Sequence, residues 1–176
     1  MTSSACVGDV CTLVVDCPHS TPEWTGDGVL VFRTGNIRDG QLDLRQPSFT
    51  TEADYRERVF RAIPSPGDII VTREAPVGQV AIIPDGVRGC LGQRMVLLRP
   101  DSGKVSGPYL AYALNSSAVQ REMRIRSGTG STVANLRIPS LESLPIPCPP
   151  LPEQKAIAAA LGDADEASPG ICPPAT

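Results

Sequence analysis

The stretch Pro66-Gly67-Asp68-Ile69-Ile70-Val71-Thr72-Arg73-Glu74-Ala75-Pro76-Val77-Gly78-Gln79-Val80-Ala81-Ile82-Ile83 decides how this chain is read. Two runs rich in β-branched residues, Ile69 to Thr72 and Gln79 to Ile83, flank a loop punctuated by Pro76 and Gly78. β-Branched side chains suit a pleated surface and Pro and Gly interrupt ladders, so the pattern predicts a β-hairpin. Upstream, Leu13 to Val15 and Val29 to Phe32 are further strand-forming runs. Thr34-Gly35-Asn36 and Asp39-Gly40 carry turn residues, and Gln41 to Leu44 alternates in the manner of an edge strand. Residues 51–62 hold mixed charge on a helical or extended surface. Arg94 to Leu98 adds another strand.

Downstream of that strand the hydrophobic period changes. Pro108 suits a first helical position, and Leu110, Ala113 and Leu114 share one helical face. Ser117 with Gln120 fits a capping box for a second helix running to about Arg126. Gly128 to Thr132 reads as a polar loop, and residues 139–152 as a proline-rich extended segment. Pro152 can open a third helix from Glu153 to Leu161, which Gly162 and Pro169 then stop. The expected class is α+β: many short strands, partly barrel-like, with a few helices.

The chain has 176 residues and a formal net charge of −3. That length fits one core-bearing domain with an appendage, and no apolar run approaches the ~20 residues of a membrane span. No basic and apolar leader precedes Leu13, so the expected compartment is the reducing cytoplasm, with the six cysteines as free thiols. Cys6, Cys11, Cys17 and His19 are four zinc-ligand types in one region, but neither Cys-x-x-Cys nor a histidine pair is present. His19 is the sole histidine, so a zinc or thiol enzyme would have to centre on Cys17 and His19. The phosphate-binding Gly-x-x-x-x-Gly-Lys loop, the Gly-x-Gly-x-x-Gly fingerprint and His-Glu-x-x-His are all absent.

Charge is uneven along the chain. Residues 86–140 hold eight basic and two acidic side chains, whereas residues 1–85 hold seven and twelve. An excess of this kind can attract phosphates whatever the total, although Arg121, Arg124 and Arg126 also fit a solvated helix face.

Several segments, in order over roughly residues 7–161, resemble one half of the specificity (S) subunit of type I DNA restriction–modification systems. They include Asp16-Cys17-Pro18-His19-Ser20-Thr21-Pro22, Arg33-Thr34-Gly35-Asn36-Ile37, Pro66-Gly67-Asp68-Ile69-Ile70 and Arg73-Glu74-Ala75-Pro76-Val77-Gly78. Gln93-Arg94, Tyr109-Leu110, Leu114-Asn115-Ser116 and Gly128 to Thr132 continue the series. The most specific is the closing run Pro149-Pro150-Leu151-Pro152-Glu153-Gln154-Lys155-x-Ile157. The resemblance implies a DNA target-recognition domain over residues 1–150 and the start of a conserved spacer helix over 151–161. Residues 162–176 depart from it and are read as an irregular tail, a truncation or a frameshift.

The implied function is non-catalytic: sequence-specific double-stranded DNA binding that reads one half of a bipartite site. Methyltransferase (M) and restriction (R) subunits are the implied partners, with a second recognition half or a second copy. S-adenosylmethionine, ATP and magnesium are expected only in those partners, and no membrane is involved. A degenerate fragment that no longer assembles is the alternative within the family. Expected DNA-facing residues are Thr34, Asn36, Arg73, Gln93, Arg94, Arg126, Gly128, Ser131 and Thr132. Asn or Gln can read adenine and Arg can read guanine or hold phosphate; hydroxyls and open N–H groups also hold phosphate. Arg73 can instead pair with Glu74 or a neighbour, and Asn36 can serve its own turn. His19 and Trp24 are read as structural, fixing the N-terminal loop. Glu153, Gln154, Ile157 and Leu161 are read as the surface toward a spacer helix or methyltransferase.

Overall fold

A computed structural model describes residues 3–128 and 134–167. The chain opens with β1 (Ser4–Cys6), β2 (Cys11–Asp16), β3 (Trp24–Thr25), β4 (Val29–Phe32), β5 (Ile37–Arg38), β6 (Gln41–Leu42) and β7 (Phe49–Thr50). Helix α1 (Glu52–Arg58) leads to β8 (Ile69–Thr72), β9 (Val80–Ile82), β10 (Gly89–Leu91) and β11 (Met95–Pro100). Then come α2 (Gly107–Asn115), α3 (Ser117–Arg126), α4 (Ile138–Glu142), β12 (Pro145–Pro147) and α5 (Leu151–Ala167).

The hairpin expected from residues 69–83 is β8–β9, with Ile70 opposite Ala81. It belongs to a four-stranded sheet of order β2-β11-β8-β9, packed between two layers. Ile69, Val71, Val80, Val96 and Leu98 face α2, α3 and α4, where Leu110, Leu114, Val119, Met123 and Leu141 complete one core. Ile70, Ala81, Met95 and Leu97 point the other way, toward Phe32 and Leu91 of a second sheet of order β10-β4-β7-β3. Both faces of β8 are therefore buried, which is why its sequence is continuously apolar rather than alternating. Complete burial of each such Ile or Val stabilises the fold by about 1.5–3 kcal/mol.

The class is mixed α+β, as expected, but the described strands form separate sheets and no closed barrel. Asp39 (φ 51°) and Gly40 (φ 79°) form the tight turn of the β5–β6 hairpin, both left-handed as a two-residue hairpin loop requires. Residues 52–58 resolve as helix, capped by the Thr51 hydroxyl, which accepts from the Asp54 N–H.

Three local expectations need correction. The N-cap of α3 is Ser116, not Ser117, and its hydroxyl accepts from the Val119 N–H. Gln120 does not reach back into a capping box; its amide donates instead to the carbonyls of Gly78 and Leu114. Gly78 (φ 82°) permits this approach, because a Cβ there would lie 3.1 Å from Met123 Sδ. The proline-rich stretch is not simply extended. It holds α4, and β12 pairs antiparallel with β1 through Ile146 opposite Ala5. Finally, α5 does not stop at Gly162 but continues to Ala167. A helical glycine costs about 1 kcal/mol, and the Tyr112 hydroxyl offsets it by donating to Asp165 one turn beyond.

Candidate nucleic-acid interface

Strand register decides which loops meet. β8 ends at Thr72 opposite Met95, and β2 ends at Asp16 opposite Val96. β10 runs parallel to β4 with Leu91 beside Phe32, and the Gly92 N–H donates to the Phe32 carbonyl at 2.8 Å. The segments leaving β2, β4 and β8, and the 92–94 turn between β10 and β11, therefore gather at one end of the packed sheets. Residues 134–137 join them, since the Leu136 N–H donates to the Arg73 carbonyl at 2.9 Å.

At this end a polar recess of about 230 Å³ is lined by Cys17, His19, Arg73, Glu74, Gln93, Arg94 and Asn135. Arg73 lies at its base, with a side chain only 13% exposed. Its NH1 donates to both oxygens of Asp16 at 2.7 Å, and its Nε donates to the Leu136 carbonyl at 3.0 Å. Its NH2 donates to Asn135 Oδ1 at 3.3 Å. The alternative reading of Arg73 as an ion-paired residue holds, with Asp16 rather than Glu74 as partner. Four of its five N–H donors are thus used inside the protein, leaving one on NH2.

Gln93 and Arg94 sit at the rim. The Gln93 amide donates to the His19 carbonyl at 2.8 Å. Arg94 is 58% exposed, and its Nε lies 3.2 Å from Glu74 Oε2. Its φ of 68° is left-handed, a conformation that costs a non-glycine residue about 1–2 kcal/mol. Glu74 also accepts from Asn135 Nδ2 at 2.7 Å. Sequence reasoning missed Asp16, Asn135 and Arg33 as parts of this end. Their partners lie some sixty residues away, or on another strand.

Thr34 and Asn36 form a 3-10 turn after β4. Asn36 is buried: its Oδ1 accepts from the Arg33 N–H and its Nδ2 donates to the carbonyls of Asp43 and Gln46. It serves its own turn and does not face a groove. Thr34 is half-buried beside exposed Arg33, whose guanidinium stacks 5.1 Å from the Trp24 ring centroid. Trp24 is 47% exposed and the His19 ring 77% exposed, so neither is a core anchor. The His19 carbonyl accepts from Gln93 and its imidazole Nε2 lies 3.4 Å from Asp16 Oδ2, and both contacts tie the N-terminal loop down. Arg126 is engaged within the domain: it pairs with Glu122 at 2.7 Å and donates to Ser140 and Ser143, binding α3 to α4. Gly128 (φ 92°) is exposed next to Ser127, while Ser131 and Thr132 lie outside the described residues.

Folding also redistributes the charge of residues 86–140. Arg88 pairs with Glu52, Arg94 with Glu74 and Arg99 with Asp68, all acids from the earlier part of the chain. Arg121, Arg124 and Arg137 remain exposed with no ion pair among the described residues. Arg124 and Arg137 flank Ser127 and Leu136, which bond into the loop cluster.

Cys17 is buried, and burial pushes its thiol up, against thiolate chemistry. Cys11 opens six-residue β2 and Cys17 follows its last residue, about 20 Å away along the extended chain, too far to share one metal. Cys6, Cys11, Cys17, Cys90 and Cys148 are free thiols, and Cys172 lies outside the described residues. No helix among the described residues is long and apolar enough to cross a membrane.

On α5, Gln154 turns into the domain rather than outward. Its Oε1 accepts from the Ser106 N–H, and its Nε2 donates to the carbonyls of Lys104 and Pro149. Ile157 is half-buried against the main core, while Glu153 and Leu161 are exposed.

Comparison with known proteins gives one consistent answer. A family model described as type I restriction modification DNA specificity domain matches residues 4–168. Two curated proteins of Methanocaldococcus jannaschii are similar. The MjaX type I restriction enzyme specificity subunit is 29% identical over 143 residues, covering 78% of this chain and 33% of that protein. The MjaIX specificity subunit is 34% identical over 116 residues, covering 66% and 26%. The chain thus spans about a third or less of the relatives it matches. Among solved structures, one of type I restriction–modification complex assembly and conformational transition matches with a TM-score of 0.66 at 22% identity, covering 94% of this chain and 38% of that one. The HsdS subunit of Thermoanaerobacter tengcongensis matches with a TM-score of 0.62 at 20% identity, covering 94% and 37%. The S subunit of M. genitalium matches at 0.64 and 22%, covering 93% and 39%. These matches agree on the fold.

Proposed function

The chain belongs to the type I restriction–modification DNA specificity family, and from that premise we propose that it reads one half of a bipartite duplex site. The observation that carries this is the meeting of the loop ends of β2, β8 and β10 with residue Asn135 around a polar recess whose rim presents Gln93 and Arg94. Gln can pair with adenine and Arg with guanine in the major groove. Thr34, in the turn after β4, is a third base-facing candidate. Arg33, Arg124 and Arg137 would hold the flanking phosphates and set orientation. In this reading the chain catalyses nothing. S-adenosylmethionine, ATP and magnesium act in partner subunits, and the assembly works in the cytoplasm. Glu153 and Leu161 on the outer face of α5 would meet a spacer helix or a methyltransferase subunit.

Selection from a random duplex library tests the reading. One short half-site should be enriched, with affinity falling steeply as salt rises; a library that stays random at every salt concentration rejects it. Co-expression with a methyltransferase subunit tests assembly separately, because loss of co-purification would favour an isolated fragment.

A further inference from the structure

Arg73 is the most heavily bonded side chain at the recess, and its bonds run to separate parts of the chain. The guanidinium holds Asp16 at the end of β2, and both Asn135 and the Leu136 carbonyl in the segment after α3. Its backbone N–H donates to the Arg94 carbonyl at 2.8 Å, and its carbonyl accepts from Leu136. Asn135 passes the connection to Glu74, and Glu74 passes it to Arg94. The rim residue in a left-handed conformation is thus held from its backbone by Arg73 and from its side chain by a chain of bonds that starts at Arg73.

We propose that Arg73 is a positioning residue for sequence discrimination: without touching DNA, it locks the 92–94 turn, the end of β2 and residues 134–137 into one reading surface. The inference rests on the DNA-reading function proposed above. A bidentate guanidinium is needed because one group must bond Asp16, a carbonyl and an amide in fixed directions. A lysine ammonium keeps the charge but cannot satisfy that fork. The general requirement is familiar: base contacts demand sub-ångström placement, while phosphate attraction tolerates a loose surface.

The test uses the full chain and the duplex selected from a random library, with a scrambled duplex as reference. Affinity for both is measured across a salt series for the unmodified protein, Arg73→Lys and Asn135→Ala. Thermal melting reports folding, and Asn135→Ala, which removes a partially exposed link in the network, carries the test if Arg73→Lys does not fold. Both variants should lose at least about tenfold in the ratio of selected to scrambled affinity. Scrambled-duplex affinity and the salt slope should stay unchanged. A salt slope smaller by about one charge in a folded Arg73→Gln variant, which removes the charge that Arg73→Lys keeps, would mean that Arg73 contacts phosphate directly, and would overturn the proposal. Full discrimination in folded variants would reduce the network to a structural role and overturn it as well. If the unmodified chain enriches no duplex, the DNA-reading function itself fails, a result distinct from the other two.

Discussion

Arg94 and Arg73 separate what a residue type can do from what its surroundings let it do. Both are arginines flanking strands, and the sequence offers both to a DNA groove. In the fold Arg73 is spent on Asp16, Asn135 and Leu136, while Arg94 stands at the rim on a strained left-handed backbone with an exposed contact to Glu74. An exposed ion pair adds at most about 1 kcal/mol, comparable with the strain of the left-handed backbone. Arg94→Gly relieves that strain. Its urea midpoint should therefore be unchanged or raised, while affinity for the selected duplex falls at least tenfold. A midpoint lowered by more than about 1 kcal/mol equivalent would make Arg94 structural.

At the scale of elements, the α5 signature shows how a readable motif can be assigned the wrong partner. Pro152-Glu153-Gln154 starts a helix as expected, but Gln154 points inward and satisfies the Ser106 N–H and the carbonyls of Lys104 and Pro149. Gln154→Ala strands those groups in a buried site, which costs about 1–3 kcal/mol for a buried group left unpaired. Equilibrium urea unfolding of the isolated chain should register that loss; a stability equal to that of the unmodified chain, with defective co-purification of a methyltransferase subunit, would restore an outward role. The hairpin of residues 69–83 was legible because its signal is local: β-branched runs broken by Pro and Gly specify strand and turn without outside help. The pairing of β12 with β1 was not, because Pro145-Ile146-Pro147 carries no strand signature of its own. It is held by a strand more than a hundred residues earlier.

For the whole molecule, net charge misled twice. The chain total hid a basic stretch, and that stretch in turn overstated the exposed positive surface, because Arg88, Arg94 and Arg99 fold onto acids of the first half. Buried thiols set a pH limit on the same fold. Burial pushes the Cys11 thiol from its ordinary 9.0 up to about 12 and the Cys90 thiol up to about 11. The folded pKa values exceed the unfolded ones, so the protonated thiols favour the native state fully below pH 9. That contribution is lost as pH rises through 9 toward the folded values. Denaturant unfolding in reductant should show stability falling between pH 9 and 11, and Cys90→Ser or Cys90→Ala should flatten the fall. A flat profile across that range would mean that the thiols ionise freely in the folded chain.

The sequence by itself determined the α+β class, the central hairpin, the three main helices and the family resemblance, because each rests on near-neighbour periodicity or on a short ordered motif. Only the tertiary structure decided which polar side chains are free to meet a ligand. Arg73 pairs with Asp16 across 57 residues, and Arg99 meets Asp68 across 31. Such pairings follow from strand register and layer packing, which fix the distance between charges that the linear sequence leaves open.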